Sequence, residues 1–487
     1  MSIEIINLEP KEVWKNFFKL TQIPRPSKKE EKIIEFMKKF GQDLKLETIV
    51  DEVGNVIIRK PATKGMENRK VVILQGHLDM VPQKNSDKQH DFEKDPIDAY
   101  IEGEVVKAKG TTLGADNGMG VAAAMALLEA NDIEHGPIEA FFTVDEETGM
   151  TGAFGLKPGL LKGDILLNLD SEHHGELFVG CAGGTNANIK LTFKKENTEA
   201  AVVAYKLSLT GLKGGHSGLD IVLGRGNANK LMNRFLKHAT IKHNVRISEF
   251  NGGSLRNAIP REAFAIITVP ADKEQDLIKC IEKYENVFKA ELSNVEPDLK
   301  FKAEKTKNPD FVMDKLSQMK FINSVYACPN GVIRMSDSIP DLVETSTNLA
   351  SIKFENNNIF IQCLMRSSVD SAKDDLGVMI SSVFELAGAE IVLDGSYPGW
   401  KPNMNSAILK VMKDVYIKLY GGTPDIKAIH AGLECGLLGG VYPNFDMISF
   451  GPTIRFPHSP DEEVNIASVN KFWNYLLETL KHIPVKS

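Results

Sequence analysis

At 487 residues the chain is too long for one ordinary core, and its 42% hydrophobic and 25% charged content is that of a soluble globular protein of about two to four domains. A net charge of -7, from 58 Lys+Arg against 65 Asp+Glu, lacks the basic excess of a nucleic-acid binder, and no run of 18 apolar residues predicts a membrane span. The five cysteines (Cys181, Cys280, Cys328, Cys363, Cys435) are odd in number and widely spaced without a Cys-x-x-Cys pair. They argue against a disulfide framework or a cysteine-based zinc site and for a reducing, cytoplasmic setting, as does the lack of a signal layout in "MSIEIINLEPKEVWKNFF".

Along the chain, Ser27 and Glu30 form an S-x-x-E pattern that predicts a capping box for the helix "KKEEKIIEFMKKFGQDL". "LETIVDEVGNVIIRK" predicts a hairpin around Gly-Asn, and "VVILQGHLDM" a buried strand of the parallel type. The small-residue helix "GMGVAAAMALLEA" and the strands "IEAFFTV" and "DILLNLD" follow. Strands alternating with helices predict an α/β sheet buried on both faces, with a site at the carboxyl ends of its strands.

Near residue 185 the texture changes to alternating, half-exposed strands such as "TNANIKLTFKK" and "AVVAYKLSLTGL", interleaved with helices. A similar order returns after "KTKNPDF", so two related α+β halves are read, about 185–307 and 308–399. From "YPGWKPN" the α/β texture resumes, too short for a core of its own. The expected fold is therefore α/β, with a discontinuous catalytic domain, 1–184 plus 400–487, whose mixed, mostly parallel sheet is flanked by helices. An α+β lid domain, 185–399, interrupts it.

The predicted strand ends carry the chemistry. "QGHLD" sets His77 and Asp79 on one side of a strand, "LGADNGMG" puts Asp116 just before a helix, "DEE" ends the next strand, and "LLNLD" ends another on Asp170. "RFPHSPDE" holds His458 in a Pro-rigidified loop. Singly these read as a hydrogen-bonded pair, a helix cap, a solvated turn and a loop histidine. Four acid-bearing strand-end elements of one sheet are harder to explain so. Carboxylates gathered where water is scarce need a cation, and two imidazoles with several Asp/Glu and no Cys suit zinc foremost. Five ligands with one bridging acid suit two metals, about 3.5–4 Å apart, that polarise a carbonyl and activate a bridging water, with a separate base to move its proton.

The string GHLDM…LGADNG…DEETG…LNLD…PHSPDE resembles the di-zinc peptidases that include aminoacylase, carboxypeptidase and dipeptidase members. It is most similar to their aminoacyl-histidine (Xaa-His, carnosinase-like) dipeptidase branch, and the likeness covers essentially the whole chain. The resemblance implies two Zn2+ per chain, with Co2+ or Mn2+ as substitutes. His77, Asp116 and Asp170 would hold one and Asp116, Glu147 and His458 the other. It implies Glu146 as general base and later general acid, Asp79 as the orienting acid, and a cis peptide at Asp116–Asn117. His173 and His174 beside Asp170 are alternative ligands that the matching Asp170 makes less favoured, and His90, His135, His238, His243 and His482 read as surface residues.

For the lid the resemblance implies His216, in "GLKGGHSG", as oxyanion support, with Asn257 and Arg366 as substrate contacts, Arg366 clamping a terminal carboxylate. In "HAGLECG" it implies that the backbone of the turn near Gly432 holds the substrate, with Glu434 as a further substrate contact, while His430 and Glu434 also fit as polar core residues. The first lid half has His216 but ends its strand without an arginine, whereas the second has Arg366. The doubled lid is thus expected to bring both into one chain, with monomer or homodimer left open. The implied activity is metal-dependent hydrolysis of dipeptides, Xaa-His (β-alanyl-histidine included) and others less specific, with a small peptide as the only partner. The alternatives are an N-acyl amino acid deacylase or a tripeptidase on the same fold. A binding protein that merely keeps the fold would be expected to have lost Glu146 or a ligand.

Overall fold

The structure, a computed structural model, describes residues 3–486. The chain divides into two compact units: Met1–Gly180 with Trp400–Ala428 and Leu433–Ser487, and Cys181–Gly399 with Ile429–Gly432. The division falls a few residues before the expected 184/185 junction, and the short 429–432 segment joins the second unit. Of the span expected for catalysis, residues 1, 2 and 487 lie outside the described residues.

The first unit is built on an eight-stranded mixed sheet. Its centre runs Ile138–Thr143, Val72–His77, Ile165–Asn168, Asp446–Ser449, all parallel, with antiparallel strands beyond. The first three of these strands are buried at every position, which is why "VILQGH", "IEAFFT" and "ILLN" are continuous apolar runs and not alternating ones. The helix Ala115–Glu129 is buried along nearly its whole length. Its alanines and glycines permit that close approach: a Cβ on Gly76 of the neighbouring strand would lie 2.2 Å from Asn117 Oδ1.

Where the parallel strands end, their polar residues are bonded to one another. Gln75 stands opposite Asn168, and Asn168 opposite Ser449. The Asn168 amide donates to Gln75 Oε1 (2.5 Å), and Ser449 Oγ donates to Asn168 Oδ1 (2.5 Å). Gln75 Nε2 and Thr143 Oγ1 both donate to Glu434 Oε2, at 2.6 and 2.9 Å. This polar chain, in which Glu434 Oε1 alone is buried without a partner, ties the strand ends that carry the site together.

The second unit carries a nine-stranded antiparallel sheet that runs through both expected halves. The halves meet where Gly252 pairs with Ile352. Their sequence division at residue 307 is not their spatial one. Gly183–Thr192 leaves the first half and lies between Asn358–Ser367 and Glu390–Tyr397, held by a continuous antiparallel register from Gly183↔Ser367 to Thr192↔Asn358. One apolar core serves both sides, with Phe235, Phe288 and Phe301 from the first and Phe321 and Phe384 from the second.

Two local expectations are corrected. No capping box forms, because Lys28 takes a positive φ of 67° and the helix starts only at Glu31. Ser27 Oγ donates instead to Asp79 Oδ2 (2.8 Å), and Glu30 Oε1 accepts from the Lys28 and Asp145 amides. His135 is fully buried, not a surface residue, its Nδ1 bonded to the Gly136 carbonyl at 2.7 Å. Burial lowers its pKa and keeps it neutral.

Candidate metal and catalytic site

The strand ends bring the five expected ligands together. His77, the last residue of its strand, sets Nε2 3.1 Å from Asp116 Oδ1 and 3.3 Å from Asp170 Oδ1. His458 sets Nε2 3.2 Å from Asp116 Oδ2 and 2.9 Å from Glu147 Oε2. Asp116 therefore gives one carboxylate oxygen to each histidine, and the site reads as two donor triads sharing one acid: His77–Asp116–Asp170 and Asp116–Glu147–His458. The peptide Asp116–Asn117 is cis, as the resemblance implied. His173 and His174 belong to neither triad; His174 packs against Tyr416 and Tyr420.

Asp145–Glu146–Glu147 is the junction on which the site turns. The strand ends at Thr143, Asp145 adopts a left-handed φ of 52°, and Glu146 and Glu147 open the short helix Glu146–Gly149. The Asp145 carboxylate accepts from the hydroxyls of Thr148 and Thr151, which suits an acid to the cramped turn. Asp79 organises the two glutamates. Its Oδ1 accepts from the Glu146 amide (3.0 Å) and its Oδ2 from the Glu147 amide (3.3 Å), while Oδ1 also lies 3.3 Å from His77 Nδ1. One buried carboxylate thus orients the His77 imidazole and the backbone of both glutamates.

The electrostatics are those of a cation site. Asp170 and Glu146 are pushed well above the usual carboxylate range, first by burial and then by neighbouring acids. His458 is pushed up to about 11 by its bonds to Asp116 and Glu147. Burial raises the Asp116 carboxyl, but His458 and His77 outweigh it and hold it low. Glu147 Oε1 is buried without a hydrogen-bond partner. Carboxylates this dense, with an orphaned oxygen and imidazoles drawn toward the charged form, fit a pair of divalent cations.

Two residues that sequence reasoning missed hold Asp116, the acid shared by both triads, in place. Glu462 is buried, and its Oε2 accepts from the amides of Leu113 (2.7 Å) and Gly114 (2.9 Å). Its Oε1 accepts from those of Ala115 (2.7 Å) and Asp116 (3.2 Å). Arg25, also buried, donates to the carbonyls of Leu78, Asp79 and Gly114. Gly114 has φ 71°, and a Cβ there would lie 2.6 Å from Arg25 Nη2, so the turn needs glycine. The available signal was the four-residue step from His458 to Glu462 in "PHSPDE" and the Pro-flanked "IPRPS" around Arg25.

Within the second unit a separate polar cluster forms. His216, on a two-residue strand paired with Ala258–Ile259, accepts at Nδ1 from the amides of Gly218 and Leu219. That fixes the proton on Nε2, which faces Arg366 Nη2 at 3.4 Å. Arg366 also donates from Nη1 to Tyr397 Oη (3.2 Å), and His430 Nε2 lies 2.7 Å from Ser346 Oγ. The Asn257 carbonyl accepts from the Ser217 amide (2.8 Å), so Asn257 borders the His216 segment. Gly432 lies in the 429–432 segment of this unit. Glu434 belongs to the first unit, its Oε2 bonded to Gln75 and Thr143 and its pKa raised to about 7 by burial.

Two donor triads with a shared carboxylate at the ends of parallel strands define the class: a metal-dependent hydrolase centre of the dinuclear type. The chain belongs to Peptidase family M20/M25/M40, which it matches over residues 73–482. It is 49% identical to the cytosol non-specific dipeptidase of Escherichia coli (strain K12) over 483 residues, 99% of this chain and 100% of that protein. The crystal structure of the aminoacylhistidine dipeptidase from Vibrio alginolyticus superimposes with a TM-score of 0.96 at 50% identity, covering 100% of this chain and 99% of that one. The aminopeptidase PepT structure from Bacillus cereus, at 16% identity, TM-score 0.58, and 98% and 99% coverage, shares the fold.

Proposed function

We infer that this chain is a dipeptidase that hydrolyses Xaa-His and other dipeptides bearing a free carboxylate. The observation that carries the reading is Asp116 shared between the His77 and His458 triads. The full-length likeness to two dipeptidases supports the substrate class. Neither the deacylase nor the tripeptidase alternative has comparable support, and the name of the Escherichia coli relative favours a cytosolic location.

His77, Asp116 and Asp170 would hold one cation and Asp116, Glu147 and His458 the other, zinc being the best match to these donors. When bound, the metals would polarise the scissile carbonyl and lower the pKa of a water. Glu146, anchored through its amide to Asp79, would take the proton of the attacking water as its oxygen adds to the carbonyl carbon. It returns the proton to the amine nitrogen as the C–N bond breaks. Asp79 holds His77 and the Glu146–Glu147 turn in register.

In the lid unit, neutral His216 and Arg366 turn donors toward each other at 3.4 Å, and two donors satisfy nothing between them. A shared anionic acceptor satisfies both, which supports roles in holding the substrate's oxyanion and terminal carboxylate. Asn257 and the Gly432 backbone are assigned to substrate contacts beside them. Glu434, expected as a substrate contact, gives Oε2 to Gln75 and Thr143 in support of the sheet, while its Oε1 is buried without a partner.

One panel tests the reading: β-Ala-His, other Xaa-His and Gly-containing dipeptides, a tripeptide and an N-acetyl amino acid, each with and without chelator. Dipeptide turnover that chelation abolishes and zinc restores is expected. Turnover confined to the N-acetyl amino acid or the tripeptide would overturn it.

A further inference from the structure

Away from the strand-end site, the second unit gathers three transition-metal donors that play no part in the reaction proposed above. His238 and His243 lie on the helix Ala228–His243 and Cys280 on the helix Glu274–Glu291. One ligand atom from each lies within 4.8 Å of the other two. We propose that His238, His243 and Cys280 form a separate binding site for a borderline-to-soft transition-metal ion, zinc foremost, that ties these two helices together.

Three observations carry this. First, the donor set is chemically selective: two imidazoles and a thiolate suit zinc-like ions and disfavour Mg2+ and Ca2+, whereas the strand-end site contains no sulfur. Second, the donors are uncommitted. Among the described residues neither imidazole makes a hydrogen bond to protein; His238 only rests against Tyr284, 5.4 Å between ring centroids, and the rings of His238 and His243 stand 6.1 Å apart. Third, the site is partly sheltered, with Cys280 8% exposed and both histidines half-buried.

Binding displaces the Cys280 thiol proton to solvent as the metal–sulfur bond forms. The sequence hid the arrangement because its donors come from two helices separated by three strands. The spacing of five between the histidines also misses the i, i+4 step. It works because His243 ends its helix, with the chain turning at Asn244 (φ 56°).

The sulfur donor supplies a test that the catalytic metals cannot mimic. Enzyme reconstituted with two equivalents of zinc is titrated with Co2+, following the near-ultraviolet sulfur-to-cobalt charge-transfer band. The expected result is a band that saturates at one further equivalent per chain. It should be abolished in Cys280→Ser and require at least tenfold more Co2+ in His243→Ala, with dipeptide turnover in the absence of added metal unchanged in both. No band, or a band of equal strength in Cys280→Ser, overturns the proposal. Because turnover is read in the same samples, a failure of the dipeptidase reading is seen separately.

Discussion

Glu462 Oε1 accepts a hydrogen bond from the Asp116 amide at 3.2 Å, and Glu462 lies only four residues after His458, whose Nε2 touches the Asp116 carboxylate. One loop thus holds the shared acid twice, by its backbone and by its side chain. Replacing Glu462 by Ala leaves four amides without their buried acceptor, at about 1–3 kcal/mol for each one that water does not reach. Glu462→Gln keeps one carbonyl oxygen but turns an NH2 group toward two donors. Calorimetry should show Glu462→Ala less stable than Glu462→Gln and both below wild type. Competitive chelator titration should show metal affinity reduced about 10–100-fold, the usual effect of losing a ligand's support. Unchanged affinity in Glu462→Gln would separate the loop from the metal centre.

Glu146 and Glu147 are adjacent but not interchangeable. Glu147 Oε2 is 2.9 Å from His458 Nε2, in the donor triad, while Glu146 is anchored through its amide to Asp79. Glu146→Gln should lower kcat by about 10²–10⁴-fold, the usual worth of a general base, with metal content still two per chain. Glu147→Gln should instead release one equivalent of metal. Metal analysis beside kinetics distinguishes them, and loss of metal in Glu146→Gln would mean that its role is misassigned.

The pairing of His216 with Arg366 inside one chain bears on assembly. Both belong to the second unit, Nε2 to Nη2 3.4 Å, although they come from different halves of its sequence. His216→Ala and Arg366→Ala chains, each inactive, should stay inactive when mixed under conditions that permit subunit exchange. Recovery of a quarter or more of wild-type turnover would show that a partner chain completes the site.

How much of this could be read beforehand divides along physical lines. The buried strand "VILQGH" and the convergence of His77, Asp116, Glu147 and Asp170 at the strand ends were legible, because a parallel core must be apolar throughout and charges where such strands stop are conspicuous. The capping box was misread at Ser27, whose hydroxyl bonds to Asp79, 52 residues away: a local pattern lost to a tertiary partner. The strand Gly183–Thr192 was found, but its place beside Asn358–Ser367 was not, since antiparallel register over that separation leaves no periodic trace. Glu462 was passed over for the same reason, its partners lying about 350 positions upstream.

The last prediction concerns His430, which is buried with Nε2 against Ser346 Oγ and its pKa lowered to about 3, by burial first and then by Arg366 and His216. In the unfolded chain it titrates near the ordinary 6.5. Between those values the unfolded state binds a proton that the folded state refuses, so stability rises with pH through the window and falls as acid is added. The stabilisation is complete above pH 6.5 and declines below it by up to about 1.4 kcal/mol per pH unit for this one group. His430→Asn removes the titration while leaving a polar partner for Ser346. Urea unfolding of wild type and variant at pH 7 and pH 5 should show wild type losing about 2 kcal/mol more than the variant over that interval. The comparison cancels the carboxylates that titrate in both chains. Equal losses would mean that His430 is charged in the folded state, with Ser346 Oγ accepting its proton.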